Sequence, residues 1–439
     1  MHSFVLRHLD QINKEGWVAL RRKAGILLRI FLKPCPINPA RLLVIFIRKI
    51  RPLIVIRLTA VDVGRIGGTY HADWYLSEKA DGNHRSRHLD FFYFFKSTDH
   101  MNRQWLKMWK RELPVVPFSK FVRNANNLNK KIPGYEEHLI PNDDVVPTVA
   151  EHLTYIAGKD LNVYERHNER LKCILRSERP NLCFTTIEEM RGARELKRLG
   201  IHAGDAFVCF HARDSAFLDA VKSDFNWRYH DYRDSSIQNY LSAAEEMSKR
   251  GYYAVRLGAK VSEKVISTNP RVIDYACNGM RTDFLDIYLS AKCRFILCSD
   301  TGMSFPAEVF KRPLVFVNWG PILRVPVYVL KGLVIFKKFY LKNENCQMTF
   351  SEIMSLKFGG ADTNEKFAKM NLELIENTPE EICAVTVEMD QRLNGTWQTT
   401  KEDEELQQRF WALFGPDKLK SPDLRIGAEY LRQNIDLLE

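Results

Sequence analysis

Three short runs of uninterrupted apolar residues constrain this chain more than anything else in it: Ala206 to Phe210, Phe295 to Cys298 and Leu314 to Val317. A strand with water on one face alternates apolar and polar residues. These runs do not alternate, so each predicts a strand covered on both faces, as in a parallel sheet. Between them Phe284, Leu285, Ile287, Tyr288, Leu289 and Ala291 keep helical spacing, and Phe305 to Phe310 opens another helix with Ser304 as its expected N-cap. Buried strands alternating with helices imply an α/β domain. Two of the runs end in polar turns, His211-Ala212-Arg213-Asp214 and Ser299-Asp300-Thr301-Gly302-Met303-Ser304. In open α/β sheets ligands bind outside the carboxyl ends of the strands. Arg213 offers a planar fork that suits phosphate oxygens, and the backbone amides of the second turn form a ready anion site. Taken alone, the first turn reads equally well as a surface Arg-Asp ion pair; the second turn tips it toward a ligand.

Longer stretches carry a resemblance: FHARDSAF (210–217), HDYRDSSIQNYLSAAEEMSKRGYYAVRLG (230–258), DFLDIYLSAKCRFILCSDTG (283–302), KKFYLKNENCQMTFSEI (337–353) and NTPEEI (377–382). Over most of residues 55 to 415 the chain resembles a group of bacterial glycosyltransferases found with surface-polysaccharide genes. More distantly, through a few short motifs, it is similar to the α-1,6- and protein O-fucosyltransferases. The resemblance implies a GT-B-like α/β fold, two Rossmann-like domains facing a cleft. It also implies a nucleotide-sugar donor, whose pyrophosphate is held by the Arg of a His-x-Arg, whose base meets an Asp, and whose phosphates meet a Ser-rich loop. Those roles carry over to His211 and Arg213, to Asp286 with Asp283 beside it, and to Ser299, Asp300, Thr301, Gly302 and Ser304. The chain departs in having one Arg where the α-1,6 enzymes have two.

An inverting sugar transfer needs a base for the acceptor hydroxyl and positive charge for the departing diphosphate. Arg213 supplies the second, and Asp214 or Asp231 stands in position for the first. Glu308, early in its helix, is expected at the donor ribose, as in many two-Rossmann transferases. Arg256, near the end of a further strand (253–258), reads either as a second phosphate ligand or as ordinary strand-edge charge. In the resembling family the loop corresponding to Val63 to Thr69 faces the cleft, which would set Arg65, Gly67, Gly68 and His71 near acceptor or donor phosphate; a plain strand-helix turn is the alternative reading. No Asp-x-Asp ends a strand, so no metal and no cofactor beyond the donor substrate are expected. The absence of a Gly-x-x-x-x-Gly-Lys-Ser/Thr argues against a phosphotransferase. A catalytically inactive nucleotide- or glycan-binding subunit of a polysaccharide assembly machinery stays open as the alternative.

The formal net charge is +11, and residues 1 to 60 hold twelve Lys or Arg against Asp10 and Glu15, so the rest of the chain is close to neutral. That argues against nucleic acid as a partner. Residues 17 to 33 predict a basic amphipathic helix, and charges interrupt every apolar window long enough to span a bilayer. The reading is a segment, 1–50, that lies on an anionic membrane surface, beside which a lipid-linked glycan acceptor would be met on the cytoplasmic face; an ordinary packing helix is the alternative. The expected organisation continues with an acceptor domain over 51–200, a nucleotide-sugar domain over 201–345, and a helical tail over 346–439 that crosses back to the first domain. Nine scattered cysteines, several inside strand runs, read as reduced core residues. Trp105 and Trp109, four apart, read as core rather than as a sugar platform.

Overall fold

A computed structural model describes residues 38–84, 87–95, 101–140, 161–221, 227–320, 322–356, 363–415 and 420–438, the side chains of 161–167 excepted. The predicted helix over 17–33 lies outside the described residues. Strands β1 (Val55–Asp62) and β2 (His88–Phe95) pair in parallel and form the sheet of a small amino-terminal α/β unit. The larger unit is built on β3 (Phe207–His211), β4 (Tyr253–Arg256), β5 (Val272–Ile273), β6 (Ile296–Cys298), β7 (Leu314–Trp319) and β8 (Lys331–Phe336). Beyond these, β9 (Lys338–Leu341), β10 (Cys346–Gln347) and β11 (Leu372–Ile375) make a small antiparallel sheet, and β12 (Asp423–Ile426) returns to the main one. Among the described residues the main sheet has seven strands in the order β12-β8-β7-β6-β3-β4-β5, every neighbouring pair parallel.

Every residue of β3, β6 and β7 is buried, the reason those runs do not alternate. Chain order runs outward from β3 through β4 to β5 on one side. It then jumps back to β6 and runs outward on the other, so the order reverses between β3 and β6. Crossovers on the two sides of such a reversal leave on opposite faces of the sheet, which opens a crevice at the strand ends between them. The two polar turns noted in the sequence follow β3 and β6. They are therefore neighbours.

A shared apolar core joins the two units: Val61, Trp105, Trp109 and Met108 from the first pack with Ile287, Ala291, Phe305 and Val309 from the second. Trp105 and Trp109 have no exposed surface, and the Trp105 indole N–H donates to Thr69 Oγ1 at 3.0 Å. They are core. Helix Thr186–Arg198 lies against helix Asp283–Lys292, where Gly192 meets the Tyr288 ring so closely that a Cβ would stand 2.0 Å from it.

The carboxyl-terminal region differs from expectation. Its apolar side chains Ile382, Val385, Met389, Phe410 and Trp411 are part of the core of the large sheet, not of the amino-terminal unit. Helix Pro379–Leu393 packs on helix Leu241–Lys249, so the tail completes the domain it follows instead of crossing back. Residues 423–426 belong to the main sheet as well. Leu424 and Ile426 are fully buried in the edge strand β12. Four residues with two apolar positions are too short a pattern to announce a strand.

Candidate functional site

The register of β3 and β6 sets His211 opposite Cys298, so both strands finish at one level. Beyond that level the chain ties the two turns together: the Ser299 N–H donates to the His211 carbonyl at 3.3 Å, and the Arg213 N–H donates to Ser299 Oγ at 2.9 Å. Ser299 is fully buried and serves as a brace between the turns. Ser304 is the first residue of helix Ser304–Val309, not its cap; its hydroxyl donates to the Thr301 carbonyl at 3.0 Å and pairs with Glu308 Oε1 at 2.7 Å.

The loop after β1 meets the turn after β6 edge to edge. Gly67 and Gly302 approach so closely that a Cβ on Gly67 would lie 3.4 Å from the Gly302 Cα. This contact divides the crevice in two. The first cavity is lined by Arg65, Gly67 and Asn102 from the small unit and by His211, Arg213, Asp214, Arg281, Asp283, Asp286, Thr301 and Gly302 from the large one, with Phe217 and Leu218 as an apolar wall. The second, of about 650 Å³, is lined by Asp62, His71, Trp74, Asp300, Ser304, Glu308, Arg324 and Tyr328, and shares Arg65, Gly67, Arg233, Thr301 and Gly302 with the first.

In the first cavity, burial takes the His211 imidazole down to about 4 even though its ring N–H is bonded to the Leu257 carbonyl at 2.9 Å. That bond commits Nδ1 as donor and leaves Nε2 as the lone-pair nitrogen. Burial also lowers the Arg213 guanidinium, to about 10, so it remains cationic at neutral pH. At the far end Asp286 is buried, and accepts from Tyr275 Oη at 3.0 Å and from Arg281 at 2.6 Å. Burial raises its carboxyl to about 6 against the pull of Arg281. Asp283 caps the Arg103 N–H at 2.9 Å and so pins the two units at this end.

In the second cavity, burial tends to raise the Asp300 carboxyl, but Arg233, Arg324 and Arg213 outweigh it and hold it below the usual range. Glu308 has the opposite balance: burial pushes it up to about 7. Two carboxylates share one cavity with separated proton affinities.

Four expected site residues sit elsewhere or are already engaged. Arg256 turns away from the crevice: it is 1% exposed, and its guanidinium donates to the Glu263 carbonyl at 2.6 Å and pairs with Asp274 at 3.3 Å. It buttresses the loop after β4. Asp231 lines a separate hollow of about 800 Å³ together with Asp234, Lys337 and Glu376. Asp214 borders both that hollow and the first cavity, but its oxygens accept from the Ala216 N–H, the Ser262 N–H and the Ser262 hydroxyl. Glu308 opens on the second cavity and not on the first. Asn102, Arg281 and Arg324 had no role in the sequence reading: Asn102 caps a helix, Arg281 lies in a loop and Arg324 ends a short 3-10 helix, none of them inside a motif.

No family model matches the chain, and no curated protein matches it. Among solved structures, the ADP-heptose LPS heptosyltransferase II of E. coli is 12% identical over 64% of this chain and 90% of its own, with a TM-score of 0.34. A glycosyltransferase of family 9 from Veillonella parvula is 11% identical over 65% and 86%, TM-score 0.35. The UDP-GlcNAc 2-epimerase of Neisseria meningitidis bound to UDP-GlcNAc is 12% identical over 78% and 100%, TM-score 0.32. At scores of this size the functional reading rests on the chain's own residues.

Proposed function

We propose that the protein is a glycosyltransferase that moves a sugar from a nucleotide-diphosphate donor to a glycan or lipid-linked acceptor, with inversion and without a metal ion. The observation that carries this reading is the junction of Arg213 with the 299–304 turn on one wall of a two-part crevice. A nucleoside fits the first cavity, its base toward Asp286, Asp283 and Asn102 and its diphosphate between Arg213 and the amides of the turn. The sugar then projects past Gly302 into the second cavity, where an acceptor can lie against Trp74 and Tyr328. Arginines already supply the charge that a metal would bring to the leaving group.

Asp214 is engaged by three donors and Asp231 faces another hollow, which directs the proton-accepting role to Glu308. Its carboxylate takes the acceptor's hydroxyl proton as that oxygen bonds the anomeric carbon; the electron pair of the breaking C–O bond leaves on the diphosphate. A proton affinity near neutrality suits that task.

The basic start of the chain fits a membrane surface. On helix Pro39–Ile50 one face packs on helix Ser119–Asn129, while Leu42, Ile45 and Phe46 are about half exposed beside Arg41 and Lys49. No helix among the described residues is long and apolar enough to cross a membrane. Flotation with anionic liposomes is expected to carry the intact chain and to leave behind one starting near residue 50.

Calorimetric titration of a UDP, GDP, CMP and dTDP panel tests the central claim. One of them is expected to bind the wild type and to lose its affinity in R213A; equal binding by both proteins overturns the assignment.

A further inference from the structure

Four arginines, Arg65, Arg213, Arg233 and Arg324, surround the turn after β6; burial first, and these cations after it, take the neighbouring His230 down to about 4. Two of these cations are already matched by the chain's own carboxylates: Arg233 by Asp300 at 2.9 Å, and Arg213 by Asp234. The two carboxylates differ in how they are held. Asp300 belongs to the turn itself. Asp234 belongs to a separate segment, just after the short helical stretch Arg228–Arg233, and reaches Arg213 from the side of the third hollow.

The backbone at Asp234 is well fixed. Its carbonyl accepts from Lys337 Nζ at 2.5 Å, and the next residue's N–H donates to the Arg213 carbonyl at 3.1 Å. Upstream, Asn364 bonds the Tyr232 N–H at 2.7 Å and the Arg228 carbonyl at 2.8 Å. The side chain has more freedom: 26% of it is exposed, against 9% for Arg213. A carboxylate at the rim can rotate into water on one or two torsions, whereas the guanidinium stays inside and needs an anion.

On the reading of Arg213 as the diphosphate ligand, we propose that the Asp234 carboxylate holds the diphosphate's place in the empty protein and must be displaced by it. Asp234 is then an internal competitor that sets how tightly the crevice binds nucleotides. It keeps the buried cation matched between turnovers, weakens the hold on the released nucleoside diphosphate, and raises the barrier to stray monoanions that cannot match its local concentration.

The test is a double-mutant cycle in binding. Affinity for the best nucleoside diphosphate of the panel, and for inorganic pyrophosphate, is measured in wild type, D234N, R213A and the double variant. D234N keeps the side chain's size and removes its charge. It is expected to bind about tenfold more tightly, the size of one partly buried ion pair, with no gain on the R213A background. Unchanged or weaker binding in a folded D234N, as checked by circular dichroism, overturns the inference. D234S provides the same reading should the amide disturb folding. If instead wild type and R213A bind pyrophosphate equally, it is the role of Arg213 that fails; if R213A loses binding and D234N gains none, only the competitor role of Asp234 does.

Discussion

Arg213 and Arg256 stand at or just past the carboxyl ends of adjacent parallel strands, and in sequence either one passes for a phosphate ligand. Their surroundings separate them. Past β3 the chain turns toward the reversal point of the sheet, so Arg213 borders a cavity and is matched by a rim carboxylate. Past β4 it folds back through a long loop to β5, and the Arg256 guanidinium is consumed by Glu263 in that loop and by Asp274 just after β5. One guanidinium can exchange its anion for a ligand; the other is a fixed part of the packing. A cation at a strand end is informative only when the neighbouring crossover leaves on the other face of the sheet.

The sharpest way to break that contrast is R256A. It leaves the Asp274 carboxylate without its buried partner, and denaturant unfolding is expected to show a loss of about 3–5 kcal/mol. Nucleotide affinity of the folded fraction should stay at the wild-type value; a lost affinity with unchanged stability inverts the comparison. R213A is the mirror experiment. Removing one charged, partly buried contact to a diphosphate is expected to weaken nucleotide binding by about 2–3 kcal/mol, some 30- to 150-fold, with a much smaller change in unfolding free energy.

Glu308 sharpens the contrast between the two cavities. Its carboxyl lies near 7 in the folded protein, above the ordinary value of 4.5. The folded state therefore holds this proton more tightly than the unfolded chain. The stability it contributes is present below about pH 4.5 and is lost as pH rises to about 7. E308Q, a permanently neutral mimic, should remove that slope. The wild-type stability relative to E308Q is expected to decline by on the order of 1 kcal/mol or more between pH 4.5 and 7 and then to level off; nucleotide affinity in the first cavity should not move. A weakened nucleotide affinity in E308Q would return this residue to the ribose. The smallest expected effect is that of EDTA, which should leave transferase activity unchanged; lost activity restored by a divalent cation contradicts the charge assignment to Arg213, Arg233 and Arg324.

The runs at 206–210, 295–298 and 314–317 determined the kind of sheet by themselves, because a strand buried on both faces has no polar position to spare. The same local chemistry identified His211, Arg213 and the 299–304 turn, since polar residues directly after such a strand must sit at its open end. What only the tertiary structure decided was direction and company. Whether Arg256 faced a cavity depended on Asp274, eighteen residues away; whether Asp234 touched Arg213 depended on the path of a loop with no periodicity to read. The placement of β12 at the sheet edge rested on a four-residue strand whose partner lies some ninety positions earlier. Burial on two faces is written in a residue's immediate neighbours. The partner of a charge is chosen by long-range folding, which no local pattern records.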